Sequence, residues 1–152
     1  TGKVNTGKKF QPDDFKIIAA GYRKSLDAKV IEIVRDSLET KQKILPFIVY
    51  DNELRADPEK DIAKIAVIER HKATGSYSLG FVEGLGIKKG AIASTVAHDS
   101  HNLIVAGVDD ESMANATNLL SEKGGGMAVI ADKIYYFPLN IGGLMSTSKI
   151  EK

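Results

Sequence analysis

The side chains best suited to chemistry in this sequence stand together in the stretch "HDSHN". It contains His98, Asp99, Ser100, His101 and Asn102, between two runs of small and apolar residues, and it holds two of the three histidines of the chain. Imidazole and carboxylate groups bind metal ions and transfer protons. The pattern therefore fits a metal site, a catalytic site or a polar turn, and the flanking elements must decide among them.

The flanking segments "GAIASTVAH" and "HNLIVAG" predict two strands joined by a tight turn at Asp99 and Ser100. In such a hairpin His98 and His101 are paired, with Cβ atoms about 5 Å apart, which is close enough to chelate a metal ion. One strand extended through all four residues would instead place the two histidines on opposite faces. Histidines satisfied by neighbouring side chains or by backbone groups are the alternative that stays open.

Other residues join this cluster only under particular arrangements. Glu69 and His71 complete a metal-ligand set only if their strand lies beside the hairpin. Glu83, an acid among glycines in "GFVEGLG", can reach a ligand or can simply belong to the polar face of a strand. The glycines of "EKGGGM" follow a predicted helix instead of opening one, and no Gly-x-Ser-x-Gly motif is present. From residue chemistry alone the chain has no complete catalytic set.

Composition excludes several classes of function. The 152 residues are 43% hydrophobic, which predicts one globular domain. Lysine and arginine number 21 against 20 acidic residues, so no net field attracts nucleic acid or an anionic membrane. Cysteine is absent, and no apolar run approaches the roughly 20 residues that cross a bilayer. We expect a cytoplasmic protein whose residues 1–12 form a linker or the tail of a preceding domain.

The sequence pattern predicts an α+β fold, with a largely antiparallel or mixed β-sheet of about six to eight strands. One helix is clear, at about 110–123, and one or two more have room to pack on the sheet. Strands are predicted in "AKVIEIV", "KILPFIVY", "IAKIAVIERH" and "SYSLGFVEGLG", and "MAVIADKIYYFPL" is predicted to form a hairpin turning near Asp132 and Lys133. Pro46 indicates an edge strand or bulge, and "LRADPEKD" an exposed loop.

Spacing also predicts which faces are buried. The helix is capped by Asp109 and ended by Gly124. Its buried stripe comprises Met113, Ala116, Thr117 and Leu120. A small-residue face that admits a helix at close range is formed by Ala91, Ala93, Thr95 and Ala97. A second smooth face, open to another backbone or a ligand, is formed by Ser78, Gly80, Val82 and Gly84.

Four segments carry a resemblance to a known family. "KIAVIERH", "GFVEGLGIKKGAIASTVAHDSHNLIVAG", "GGGMAVI" and "FPLNIGGLMS" resemble, in the same order, the C-terminal domain of the amidohydrolase-type adenine deaminases. The stretch "GAIASTVAHDSHN" is the most specific part, whereas Asn140 and Gly142 depart from the family pattern of proline and alanine. The resemblance covers roughly residues 28–146. We expect the domain to span residues 13–147 and residues 148–152 to form a tail.

What the resemblance implies is hydrolysis of adenine to hypoxanthine and ammonia by the full enzyme. In that family a hydroxide activated by a divalent metal, Mn or Fe, attacks the purine carbon that bears the amino group. The metal is held by a preceding barrel domain of about 250 residues, which a chain of 152 residues without a His-x-His pair does not contain. We therefore expect no cofactor and no metal ligand on this chain, which alone would be inactive.

Three hypotheses follow for the role of the chain. In the first, the 98–102 loop lies near the active-site mouth of the barrel; the candidates near the active site are His98, Asp99, His101, Asn102 and Glu83. In the second, the domain is a structural module that stabilises the barrel or makes a subunit contact, so a homo-oligomer is open. In the third, His71, His98 and His101 form a self-contained metal site. The expected partners are the preceding barrel domain and adenine, with no nucleic acid and no membrane.

Overall fold

The computed structural model describes residues 9–19, 21, 24–34, 39–69, 76–95 and 102–138. Its strands are β1 (Ile17–Ile18), β2 (Ser25–Ile33), β3 (Thr40–Ile48), β4 (Glu53–Leu54), β5 (Ile62–Glu69), β6 (Tyr77–Glu83), β7 (Ala91–Thr95), β8 (Asn102–Gly107), β9 (Met127–Ile130) and β10 (Ile134–Phe137). The helix is α1 (Asp110–Lys123), and two 3-10 turns span Pro12–Phe15 and Pro58–Lys60. Within these ranges no helix is long and apolar enough to cross a membrane.

Eight of the strands form one sheet, in the order β10-β9-β7-β8-β5-β6-β2-β3. Every neighbouring pair is antiparallel except β2 and β6, which run parallel. The remaining strands, β1 and β4, pair with each other in a small second sheet. The α+β class, the mixed eight-stranded sheet and the one clear helix are confirmed. Pro46 lies in β3 at the edge of the sheet, as its missing N–H requires.

Helix α1 begins and ends where its capping residues predict. The Asp109 carboxylate accepts a hydrogen bond of 2.7 Å from the Ser112 N–H, and Gly124 ends the helix in the left-handed conformation at a φ of 84°. All four residues of the predicted stripe are fully buried: Met113, Ala116, Thr117 and Leu120. Local sequence signals and tertiary burial therefore agree along the whole helix.

The helix packs on β7, β8 and β9, where the sheet carries small side chains. Ala91, Ala93 and Ala128 are buried beneath it, in agreement with the described part of the small-residue face predicted for β7; Ala97 lies outside the described residues. A Cβ added at Gly107 would lie 2.8 Å from Met113 Cγ. Since larger side chains at these positions would lift α1 off the sheet, the small residues set the distance between the two layers.

The segment that precedes β1 packs into the same core. Phe10 is 1% exposed and stacks edge-on against Tyr77. Its backbone N–H donates to the Asn118 side chain at 2.9 Å, and the Asn118 amide donates back to the Phe10 carbonyl at 2.8 Å. Residues 1–12 were expected to be a linker or tail, but Phe10 belongs to the packed domain because its aromatic ring fills the space beside α1.

The small sheet extends the core toward β2, β3 and β6. Leu54, in the segment "LRADPEKD" that was expected to be an exposed loop, is buried because β4 pairs with β1. It joins a second apolar cluster with Val30, Phe47 and Phe81, in which the two phenylalanine rings stack at 4.3 Å. The rest of that segment is exposed or half-buried. In the described part of the chain, α1, the first 3-10 turn and the small sheet all pack on one face of the large sheet.

We predict that Gly90→Ala will destabilise the fold far more than Gly86→Ala. Both glycines have nearly the same positive φ, 78° and 76°, but a Cβ at Gly90 would lie 1.7 Å from the Ile130 carbonyl oxygen, whereas Gly86 has no neighbour within 4 Å. The left-handed conformation alone costs alanine about 1–2 kcal/mol, and the backbone clash should add at least as much again. Urea unfolding followed by circular dichroism measures both losses. Equal losses of stability in the two variants would show that β9 moves away from the added Cβ without a free-energy cost.

Candidate functional site

The end of the β7–β8 hairpin is where the sequence places the candidate residues. Residues 96–101, which include His98, Asp99, Ser100 and His101, lie outside the described residues, as do residues 70–75 with His71. The strands on both sides are described: Thr95 ends β7 and Asn102 begins β8. The hairpin is central, because β8 pairs with β5 on its other side.

The register of this hairpin differs by one residue from the prediction. A two-residue turn at Asp99 and Ser100 requires Thr95 to face Ile104, but the structure pairs Thr95 with Leu103. Because side chains alternate across a strand, a shift of one residue exchanges the faces of the partners. The described ladder ends at Thr95 and Leu103. The pairing of His98 with His101 lies outside the described residues and stays a prediction.

Asn102 is the one candidate of the hairpin end within the described part of the chain. It is half-buried and pairs with Glu69, the last residue of β5, so that their side chains lie together on one sheet face. The metal-ligand hypothesis required the strand that holds Glu69 to lie beside the hairpin, and β5 does pair with β8. An amide and a carboxylate are thus placed side by side where the hairpin leaves the sheet. Such a pair supplies both donors and acceptors of hydrogen bonds.

The structure does not bring Glu83 to this end of the sheet. Glu83 pairs with Ile62, at the opposite end of β5 from Glu69 and Asn102. Seven residues of strand correspond to about 23 Å, and the alternation of β5 places Glu83 on the other face. Here it forms an ion pair with Lys43, whose ammonium group also lies 3.8 Å from Glu32. The hydrogen bond to Glu83 raises the pKa of Lys43 above its ordinary value.

One buried charged residue escaped the sequence analysis. Lys64 lies in the middle of β5 with its side chain only 4% exposed, and its Nζ donates to Asp110 Oδ1 at 2.7 Å and to the Phe15 carbonyl at 2.9 Å. The signal was a lysine within the apolar run "IAKIAVI". Because both acceptors come from the same domain, the ammonium group is held as a structural link between β5, α1 and the first 3-10 turn.

The described residues do not fit a catalytic metal centre. Within these ranges, no three side chains among histidine, cysteine, aspartate and glutamate come close enough to hold one ion. Three protein ligands are the usual minimum of a catalytic zinc site. No step of a metal-dependent reaction is assigned to the described residues.

Comparison with known proteins places this geometry in context. A family model described as adenine deaminase C-terminal domain matches residues 37–152. Proteins named adenine deaminase from Clostridium botulinum and Moorella thermoacetica are 46% and 42% identical over 95% and 98% of this chain. One named adenine deaminase 2, from Carboxydothermus hydrogenoformans, is 48% identical over 91% of it. The matched segments cover 24%, 25% and 24% of these relatives, so the chain spans about a quarter of their length.

We predict that this chain binds Zn²⁺ and Mn²⁺ no more tightly than its variant His98→Ala/His101→Ala. The physical reason is the register of the described ladder, in which Thr95 faces Leu103 instead of the Ile104 that a two-residue turn between paired histidines requires. Isothermal titration with each metal salt, followed by elemental analysis after dialysis, compares the two proteins, with His71→Ala as a further variant. Stoichiometric binding that disappears in the variants would restore the self-contained metal site.

Proposed function

Because the chain belongs to the family of adenine deaminase C-terminal domains, we propose that it is the C-terminal domain of an enzyme that hydrolyses adenine to hypoxanthine and ammonia. The observation that carries this proposal is the extent of the likeness. Relatives named adenine deaminase match 95% or more of this chain at 42% to 46% identity, and the match runs across the hairpin that holds the polar cluster.

The chemistry is divided between two parts of the polypeptide in this proposal. The divalent metal, Mn or Fe, and the residues that hold it belong to a preceding barrel domain, for which the remaining three quarters of the relatives leave sufficient length. The metal supplies the activated water when bound. The chain described here supplies no ligand, and alone it is inactive. A cytoplasmic location is part of the same proposal.

The contribution of this domain is made by the end of the β7–β8 hairpin. We place His98, Asp99, His101 and Asn102 at the active-site mouth, where their hydrogen-bonding groups orient the purine or exclude water. Support comes from the strands that carry them: β7 pairs with β9 and β8 pairs with β5, so the hairpin begins and ends on strands inside the sheet. Glu83 stands apart from this group because it is paired with Lys43 at the opposite end of the sheet.

A second function is favoured by a separate observation. One face of the large sheet carries apolar side chains that remain exposed, including Ile92, Met127 and Val67. Such a face is typical of interfaces between domains or subunits. In this alternative the domain stabilises the barrel or a homo-oligomer, and no residue of it approaches the substrate.

In the intact enzyme we expect His98→Ala and Asp99→Ala each to lower kcat for adenine at least about tenfold without unfolding the protein, because misplaced substrate reacts slowly. Release of ammonia from adenine measures kcat and KM, and thermal unfolding followed by circular dichroism tests integrity. The matched control is Asp132→Ala, since Asp132 is an exposed turn residue at the other end of the same sheet. It should leave kcat unchanged.

Normal turnover in both hairpin variants would remove the active-site role and favour the structural module. Loss of folding in either would identify the cluster as a hydrogen-bond network that holds the hairpin together. Removing this domain from the intact enzyme separates the hypotheses further, provided that the remaining protein is monodisperse. Turnover retained in that remainder would support a structural role.

A further inference from the structure

One face of the large sheet is left largely uncovered by the described residues. On the opposite face lie α1, the first 3-10 turn and the small sheet, together with both apolar clusters. Residues of β5 that point away from those clusters include Ile65 and Val67, while Ala66 and Ile68, which alternate with them, are fully buried. We call the side of the sheet that carries Ile65 and Val67 the open face.

The strand registers show that the open face is continuous. Directly paired residues form a row across six strands: Tyr135, Val129, Ile92, Ala106, Ile65 and Gly80. A second row runs beside it: Phe137, Met127, Ser94, Ile104, Val67 and Ser78. Five spacings between six strands amount to about 24 Å. Neither row contains a charged residue.

Exposure of these rows is unfavourable in water. Ile92, Met127 and Val67 are each 39% exposed and Tyr135 is 48% exposed, although they are surrounded by other apolar groups. A sheet that carries apolar residues on both faces requires a layer on each side, and the described residues supply one layer only. An apolar depression, with Ala106 at its base, can accommodate a side chain of a second covering layer; it is lined by Ile65, Ile92, Ile104 and Met127.

We propose that the open face is the surface on which the preceding part of the same polypeptide docks, an inference that rests on the proposed function. The relatives are about four times as long as the segment that matches this chain, and the matching family describes a C-terminal domain. A covalently attached domain meets this face at an effective concentration that is in the millimolar range for short linkers. It therefore reaches the face ahead of a second copy of the chain.

The position of the hairpin end supports the same occupant. Asn102 and Glu69 lie on the open face, one step along their strands beyond the row that holds Ile104 and Val67. The polar end and the apolar rows thus form one continuous surface. A domain that covers the rows therefore also comes into contact with Asn102 and Glu69.

The surface also specifies the chemistry of its partner. Gly80, Ser94 and Ala106 keep the rows shallow between the larger isoleucine side chains. A helix or strand with an apolar stripe fits such a surface, whereas a charged surface would lose its hydration without gaining an ion pair. We expect the docked segment to present branched aliphatic or aromatic side chains to the depression around Ile92.

Cysteine labelling tests this proposal directly, because the chain itself contains no cysteine. In the intact protein, Ile92→Cys places a thiol in the first row, and Ile18→Cys places one on β1, where Ile18 is 66% exposed. Both are treated with a maleimide, and peptide mass spectrometry gives the rate at each position, divided by the rate in urea. We expect Ile92→Cys to react at least about tenfold more slowly than Ile18→Cys.

Comparable rates at the two positions would overturn the proposal. Protection that disappears on dilution, together with a change from dimer to monomer in sedimentation, would assign the face to a second copy and would overturn it as well. Val67→Cys repeats the test if the Ile92 variant does not fold. Turnover of adenine is measured on the same samples: protection without turnover retains the docking surface and rejects the proposed function, and turnover without protection does the reverse.

Discussion

The burial of Lys64 is the interaction on which the arrangement of this domain depends. An ammonium group inside a protein is tolerated only when its donors find acceptors, and Lys64 finds one on Asp110 and one on the Phe15 carbonyl. Asp110 occupies the first turn of α1, where the helix dipole already favours an anion. One side chain of a central strand therefore links both the start of the helix and the segment before β1 to the sheet.

The asymmetry of the sheet follows from this attachment. With α1 held against β7, β8 and β9, the residues beneath it must be small, and Ala91, Ala93 and Gly107 satisfy that requirement. The larger aliphatic residues of the same strands, Ile92 and Ile104, then point to the other side. The two faces therefore differ in side-chain size. Small residues on one face allow α1 to pack at short range, whereas the other face carries larger apolar side chains and has no described partner.

Local signals allowed part of this structure to be predicted, and tertiary contacts decided the rest. The limits of α1 followed from Asp109 and Gly124, and its buried stripe from helical spacing, because these properties depend on neighbours in sequence. The register of the described β7–β8 ladder differs by one residue from that of a two-residue turn at Asp99 and Ser100, since it depends on how the chain turns between Thr95 and Leu103. Neither the role of Lys64 nor the separation of Glu83 from the hairpin could be predicted from the sequence, because both depend on which strands lie side by side.

A central hairpin suits a domain that assists chemistry performed elsewhere. Strands β7 and β8 are paired on both sides, so displacing their common end would break hydrogen bonds to β5 and β9 together. A polar cluster at an edge strand would lack that restraint and would hold a substrate less firmly. Asn102 and Glu69, at the described end of the hairpin strands, share the open face with the apolar rows. The proposed docking surface and the proposed position of the polar cluster therefore both depend on the same sheet register.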